Sequence, residues 1–440
     1  MKKRITMLVM LLAALLLSGC GLRTVEEMYA LPKRSEEYMH LQKAFDSAMA
    51  GLEYSAPVSG ENQQTVQMAD LDGDGVEEYL VFAKGNTEKP LQILIFCQTP
   101  DGGCQIMSVI ESRGSAFDRV EYVEIDHKPG CEIVVGRKVS DQLMTSVGVY
   151  SFRDGFAQQI MTEGCSRFMT YDLDGDDKNE LILIQPGESE SDRAVAVMYN
   201  YRGGTMERSV EAGLSRRSQD IRRITGSYLE DGVPAVYVTS AVDDTGVITD
   251  IITLKRSRLT NISQSLETGT SVKTLRNYFV YTSDVDRDGV LELPRLITMK
   301  PISVDYNIER QYLIQWYSMG LNGGETEKMY SFHNYAGGWF LKLDSEWAEY
   351  VTLDQMGNTY LFFLWDESFE NVTPVFTVYA LTGSDRETQA QEDNRFPLYR
   401  TDDVVYAARL DKAAAEYGIT QDNLINSFRL IREEWKMGDM

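Results

Sequence analysis

One nine-residue acidic loop occurs three times in the chain, at nearly the same place in a longer repeating unit. Residues 68–84 read M-A-D-L-D-G-D-G-V-E-E-Y-L-V-F-A-K, residues 170–186 read T-Y-D-L-D-G-D-D-K-N-E-L-I-L-I-Q-P, and residues 282–298 read T-S-D-V-D-R-D-G-V-L-E-L-P-R-L-I-T. Each loop follows a short stretch of strand character and precedes an apolar run, so each is expected to join two strands. Weaker copies lie between and after them, at Tyr122 to Gly136, Gly226 to Thr239 and Tyr350 to Trp365, keeping the strand pattern and losing acids. Measured through Glu78, Glu132, Glu180, Ala235, Glu292 and Thr359, the steps are 54, 48, 55, 57 and 67 residues.

Within each period further strands are legible. Leu91 to Cys97 turns at Asp101-Gly102, Val147 to Phe152 at Asp154-Gly155, Ala194 to Tyr201 at Gly203-Gly204, and Phe332 to Asn334 at Gly337-Gly338. A unit of this kind is a four-stranded meander. Repeated meanders that hide their edges by radial stacking make a β-propeller, so the expected fold is all-β, with six to seven four-stranded blades over residues 60–410. The long last step leaves room for the seventh. The structural rival is an array of two-sheet sandwiches. Short helices are expected to flank the blades. In residues 35–52, Tyr38, Leu41, Phe45, Ala48 and Met49 share one face; in 418–436, Thr420 is the N-cap before Leu424, Ile425, Phe428, Ile431 and Trp435.

The acids of the first loop sit at positions 1, 3, 5 and 9: Asp70, Asp72, Asp74 and Glu78, with the Val76 carbonyl at position 7. Alternate residues of a tight loop point inward and gather hard oxygens around a cation that needs six to eight of them. The equivalent ligands are Asp172, Asp174, Asp176, the Lys178 carbonyl and Glu180, then Asp284, Asp286, Asp288, the Val290 carbonyl and Glu292. Calcium is expected over magnesium, because a loop mixing carboxylates with a carbonyl is too roomy for strict octahedral coordination. Up to three ions follow. Position 6, where positive φ is wanted, is Gly75, Asp177 or Gly289. In the copy from Glu124 to Glu132 position 5 is Lys128, which puts a charge where an ion would sit, so no ion is expected there.

The chain has 43 Lys plus Arg against 67 Asp plus Glu, a formal charge of −24. That surface repels phosphate backbones, which argues against nucleic acid as a partner and for soluble cations. The basic exception is the start. Lys2, Lys3 and Arg4 precede an apolar run from Met7 to Leu17, too short to span a bilayer and suited to a signal peptide over 1–19. It ends in Leu17-Ser18-Gly19-Cys20, which resembles the lipobox of bacterial lipoproteins. The resemblance implies a diacylglyceryl group on Cys20, a tether over 20–34, and anchoring to the extracytoplasmic face of the cell membrane. Cys97 and Cys104 flank the turn signal Pro100-Asp101-Gly102-Gly103, either as a bridge across a hairpin or as two small buried hydrophobes.

The loop spacing also resembles the FG-GAP repeats of integrin-type propellers and the VCBS repeats of bacterial surface proteins. It implies mainly structural calcium sites between the first two strands of a blade. The layout from lipobox to final helix is similar to that of uncharacterised lipoproteins of clostridial-type bacteria. The Phe-Gly and Gly-Ala-Pro signatures of the FG-GAP pattern are not clearly present.

No H-E-x-x-H, G-x-S-x-G, Walker or G-x-G-x-x-G pattern occurs, and the three histidines, His40, His127 and His333, are scattered. The expected role is therefore binding of an extracellular glycan or protein. The alternatives are a polysaccharide lyase or glycoside hydrolase, or an envelope assembly scaffold. Among 45 aromatic residues, those concentrated in 301–350, with Trp316 and Trp339 foremost, either fill the wedge between blades or are the candidate ligand contacts.

Overall fold

The computed structural model describes residues 36–99, 103–139, 144–189, 191–243, 246–278, 280–302 and 311–431. The expected signal peptide, Cys20 and the tether lie outside them. The first element is helix α1 (Glu36–Ala48), and six antiparallel sheets follow. Sheet I holds β1 (Glu53–Tyr54), β2 (Val66–Ala69), β3 (Glu78–Lys84), β4 (Leu91–Gln98) and β5 (Cys104–Ser112), with β1 and β2 sharing one edge of β3. Sheet II is β6 (Ala116–Val123), β7 (Glu132–Lys138), β8 (Thr145–Arg153) and β9 (Phe156–Cys165). Sheet III is β10 (Arg167–Tyr171), β11 (Glu180–Gln185), β12 (Val195–Arg202) and β13 (Thr205–Gly213). Sheet IV is β14 (Ile221–Tyr228), β15 (Pro234–Val242), β16 (Gly246–Lys255) and β17 (Arg258–Asn261). Sheet V is β18 (Leu293–Thr298), β19 (Tyr312–Met319), β20 (Glu325–Asn334) and β21 (Trp339–Leu343).

After the short helix α2 (Ser345–Ala348), sheet VI is built from β22 (Val351–Met356), β23 (Thr359–Trp365), β24 (Val372–Leu381), β25 (Phe396–Arg400) and β26 (Val405–Leu410). Helix α3 (Arg386–Gln389) interrupts that sheet between β24 and β25, and β26 inserts between them in the strand order. Helix α4 (Gln421–Ser427) leads into β27 (Phe428–Leu430), which returns to pair with β21. The strand pairs expected from the weak repeat copies are present as β6–β7, β14–β15 and β22–β23. The long step between residues 292 and 359 holds the broad sheet V, and no seventh sheet occurs among the described residues.

Sheets II to V are clothed by neighbours on both faces, so their middle strands read as continuous apolar runs rather than as alternation. β11, E-L-I-L-I-Q, is buried at five of its six positions. Consecutive sheets share apolar layers. Phe82 meets Phe117 edge-on at 5.1 Å between sheets I and II. Val149 packs with Leu183 between II and III, Val238 with Ile184 between III and IV, and Tyr237 with Leu293 between IV and V. Phe332 meets Phe362 at 5.5 Å between V and VI. The two terminal sheets are finished differently. The outer face of sheet I is covered by α1, whose Phe45 lies 4.7 Å from Phe96. That of sheet VI is covered near Ala390, just after α3. Among the described residues no apolar cluster joins sheet I to sheet VI. No described helix is long and apolar enough to cross a membrane.

Two expectations are corrected, and the open question of the Cys97–Cys104 bridge is answered. Trp316 and Trp339 are core residues, 1% and 0% exposed, and offer no face to a ligand. Trp316 Nε1 donates to Ser331 Oγ at 2.8 Å, and Trp339 stacks on Phe428 at 5.3 Å, because both strands of sheet V are covered on both sides. Trp339→Ala is therefore expected to destabilise by about 3–5 kcal/mol, measured by denaturant unfolding. The final helix stops at Ser427 although Thr420 caps it, accepting from the Asn423 N–H at 3.2 Å. The edge of β21 outcompetes the helical stripe, pairing Leu341 with Phe428 and Trp339 with Leu430. Trp435 lies outside the described residues. Cys97 and Cys104 are free thiols, and the register places Cys104 opposite Gln98.

Candidate metal centres

The acidic loops join the first two strands of sheets I and III, β2 to β3 and β10 to β11. In sheet V the first strand has shrunk to a single bridge between Ser283 and Glu292, and the loop leads into β18. Each loop is pinned by its second residue. Leu71, Leu173 and Val285 are buried, and their N–H groups donate to the position 9 carboxylates of Glu78, Glu180 and Glu292 at 2.9, 2.9 and 2.8 Å. The position 1 aspartate folds the turn around itself. Asp70 accepts from Gly73 N at 2.7 Å and Gly75 N at 3.0 Å; Asp172 accepts from Gly175 N at 2.7 Å and Asp177 N at 3.0 Å. Asp284 repeats this with Arg287 N at 2.6 Å and Gly289 N at 3.2 Å.

Positive φ is required at position 6, as expected, and also at position 4, where Gly73, Gly175 and Arg287 stand at 77°, 80° and 70°. Two glycines of the first loop differ in kind. A Cβ on Gly75 would meet nothing within 4 Å, whereas one on Gly73 would lie 2.4 Å from Pro129 Cβ and 2.6 Å from Gly130 N of the next loop. Gly75→Ala should cost about 1–2 kcal/mol from the left-handed backbone alone. Gly73→Ala should cost clearly more, and thermal melts of the two variants check the order.

This construction brings together the carboxylates of positions 1, 3 and 9. In each of the groups Asp70–Asp72–Glu78, Asp172–Asp174–Glu180 and Asp284–Asp286–Glu292, one oxygen per residue lies within 4.8 Å of the others. Oxygens around one calcium ion, each at 2.3–2.6 Å from it, span up to about 5 Å. The position 5 residues are not in these triads. Asp74, Asp176 and Asp288 instead accept from the N–H groups of Val76, Lys178 and Val290 at 2.7, 2.9 and 2.8 Å. Asp288 also accepts from Lys328 Nζ at 2.9 Å.

The donor set fits a hard dication. Burial pushes the Glu180 carboxyl up to about 7 and that of Glu292 to about 8, with neighbouring aspartates adding to the effect. Glu292 Oε1 is buried with no hydrogen-bond partner. The equivalent oxygen of Glu180 accepts from Asn200 Nδ2 at 3.3 Å. In sheet V the hydroxyl of Ser318 turns away to Glu230.

The loop in sheet II shows what replaces an ion. Glu132 keeps its place, accepting from Ile125 N at 2.9 Å, but two side-chain cations occupy the acidic cluster. Lys128 Nζ lies 3.2 Å from Asp126, and Arg153 Nη2 lies 3.0 Å from Asp126 and 3.3 Å from Glu132. Lys128 was expected there; Arg153, at the end of β8, was not. It carries no local motif, and only the retained acids Asp126 and Glu132 hint that a cation must come from elsewhere.

The loops of sheets I to V form one continuous row. Pro129 and Gly130 sit against Gly73, and Asn179 N donates to Glu124 O at 2.9 Å. Tyr171 Oη donates to Ser227 O at 2.8 Å, and Ser227 Oγ donates to Gly289 O at 2.9 Å.

No protein-family model and no curated protein matches the sequence. Among solved structures, a protein of Bacteroides uniformis described as a candidate 6-phosphogluconolactonase has a TM-score of 0.31 and 10% identity, over 69% of this chain and 82% of that one. The rhamnogalacturonan lyase YesW has a TM-score of 0.30 and 13% identity over 84% and 88% of the two chains. A Bacillus licheniformis rhamnogalacturonan lyase has a TM-score of 0.28 and 12% identity over 73% and 72%. Likenesses this distant assign neither substrate nor activity.

Proposed function

We propose that this chain is a lipid-anchored, extracytoplasmic β-propeller-type module, stabilised by calcium, that binds a glycan or protein ligand rather than catalysing a reaction. The observation that carries the reading is the recurrence of one acidic triad at the same strand junction in three sheets. A catalytic pair of carboxylates is needed once, at one place. A loop repeated with the fold, pinned to the core by Leu71, Leu173 and Val285, acts as a structural part. Meander sheets stacked in chain order are what supports a propeller-type arrangement.

The address rests on Cys20. Labelled fatty acid should enter the protein in cells and be absent from Cys20→Ala; equal labelling of both would refute the anchor. Binding is separated from catalysis by incubating the purified, calcium-loaded chain with polysaccharides. Retention without release of reducing ends or unsaturated sugar is expected. Turnover that a non-ligand carboxylate variant abolishes would favour the enzyme alternative.

A further inference from the structure

β18, which follows the third acidic loop, runs along a surface of opposite character. β18 starts beside Glu292, and Thr298 at its far end lines a cavity of about 330 Å³ together with Lys273, Arg276, Arg295 and Tyr312. Leu275 is shared with a neighbouring cavity of about 480 Å³ that holds Arg193, Arg216 and Arg217. Leu296 and Tyr312 are shared with a third, of about 310 Å³. In a chain with 67 acids, none of the described residues lining these adjoining cavities is Asp or Glu.

Arg276 is the centre of this trough. It is 4% exposed, with Nη1 donating to Thr274 O at 2.9 Å and Thr249 Oγ1 at 3.2 Å, and Nε donating to Val280 O. Every acceptor is neutral, and Nη2 is buried without a partner. Burial lowers the guanidinium to about 10, and no carboxylate counters it. A buried cation without a counter-ion is costly to leave so. The nearby buried carboxylate, Asp250, is satisfied by Ser215, Asn261 and Ser271 and makes no ion pair among the described residues. Around Arg276 the rim is apolar and open: Val272, Leu275, Tyr278 and Tyr312 are 42%, 43%, 36% and 36% exposed.

We infer that this trough binds a saccharide chain carrying carboxylates, one of which becomes the counter-ion of Arg276 while the apolar faces of the sugar rings lie on the exposed Leu275, Tyr278 and Tyr312. A planar guanidinium suits a carboxylate; Arg295 is paired with Glu325, and Arg216 and Arg217 with Asp220, so Arg276, with Lys273 and Arg193 beside it, carries the charge offered to the ligand. Exposed aromatic and aliphatic side chains suit pyranose faces, which an acidic peptide lacks. The inference rests on the binding reading above and adds the ligand class and its place.

The test is calorimetric titration of the whole chain, calcium present, with an oligogalacturonate, a neutral oligogalactoside of equal length, and poly-glutamate. The uronate chain should bind and the neutral chain should not. Arg276→Gln should weaken uronate binding about tenfold or more, the scale of a lost charge-assisted hydrogen bond. Lys273→Ala, at an exposed position that leaves the fold intact, should weaken it about threefold. Lys89→Ala, at an exposed cation in the turn between β3 and β4, should leave it unchanged. Equal binding of neutral and uronate chains, equal binding of poly-glutamate, or indifference to both trough variants would overturn the inference. Capture of some other ligand with uronates ignored would overturn it while sparing the binding reading; a melt indifferent to chelator would do the reverse.

Discussion

Arg153→Ala should destabilise the protein by about 3–5 kcal/mol, the cost of breaking a buried ion pair from one side. Asp126 and Glu132 are 3% and 1% exposed, so removing the guanidinium leaves Glu132 buried without a cation and Asp126 with Lys128 alone. The same side chain ties two sheets together, since Arg153 Nη1 donates to Leu71 O at 2.9 Å in the neighbouring acidic loop. Burial alone would raise Asp126, but the Lys128 hydrogen bond and the Arg153 charge hold it below the usual aspartate range. A carboxyl lowered on folding contributes stability above its unfolded pKa and loses it as pH falls through the folded one. The deficit of Arg153→Ala should thus be full at neutral pH and narrow below about pH 4. Urea unfolding of wild type, Arg153→Ala and Arg153→Lys measures it, the lysine recovering part of the loss. A deficit independent of pH would point to lost packing instead.

Chelation should lower stability by a similar amount through a different route. With extracellular-type affinity near 10⁻⁴ M and about 1 mM free calcium, each site contributes about 1.4 kcal/mol, and three independent sites about 4 kcal/mol. Independence is reasonable because the triads sit in sheets I, III and V, with the loops of II and IV between them. Without an ion, each triad confines three carboxylates within 4.8 Å, and the loop must carry that repulsion. The loss should be reversed by adding calcium back and be insensitive to monovalent salt at equal ionic strength.

The acidic triads were legible because their geometry is local, although the position 5 aspartates expected with them stand outside. Positions 1, 3 and 9 are fixed by one turn, and the turn by its own Asp and Gly residues, so spacing alone placed Asp70, Asp72 and Glu78 together. The strand pairs of the weak copies were legible for the same reason, from apolar runs either side of a turn. What escaped depends on contacts distant in sequence. Arg153 lies 21 residues from Glu132, and the isolation of Arg276 is a property of everything around it. The misplacement of Trp316 and Trp339 has a different cause. Strands buried on both faces lose the alternation that would reveal which side a tryptophan takes. Phe428 kept its helical spacing and became a strand because an unpaired edge of β21 was within reach.

If the three repeated loops are calcium sites that hold the fold, the ion must bind at them and raise the melting temperature. Calcium titrated calorimetrically into chelator-stripped protein tests this most directly, with melts recorded on the same samples. Three ions per chain are expected, with a rise in melting temperature on saturation, and two ions in Asp72→Ala. Absence of calcium binding, a count unchanged in Asp72→Ala, or a melting temperature indifferent to the ion would contradict it.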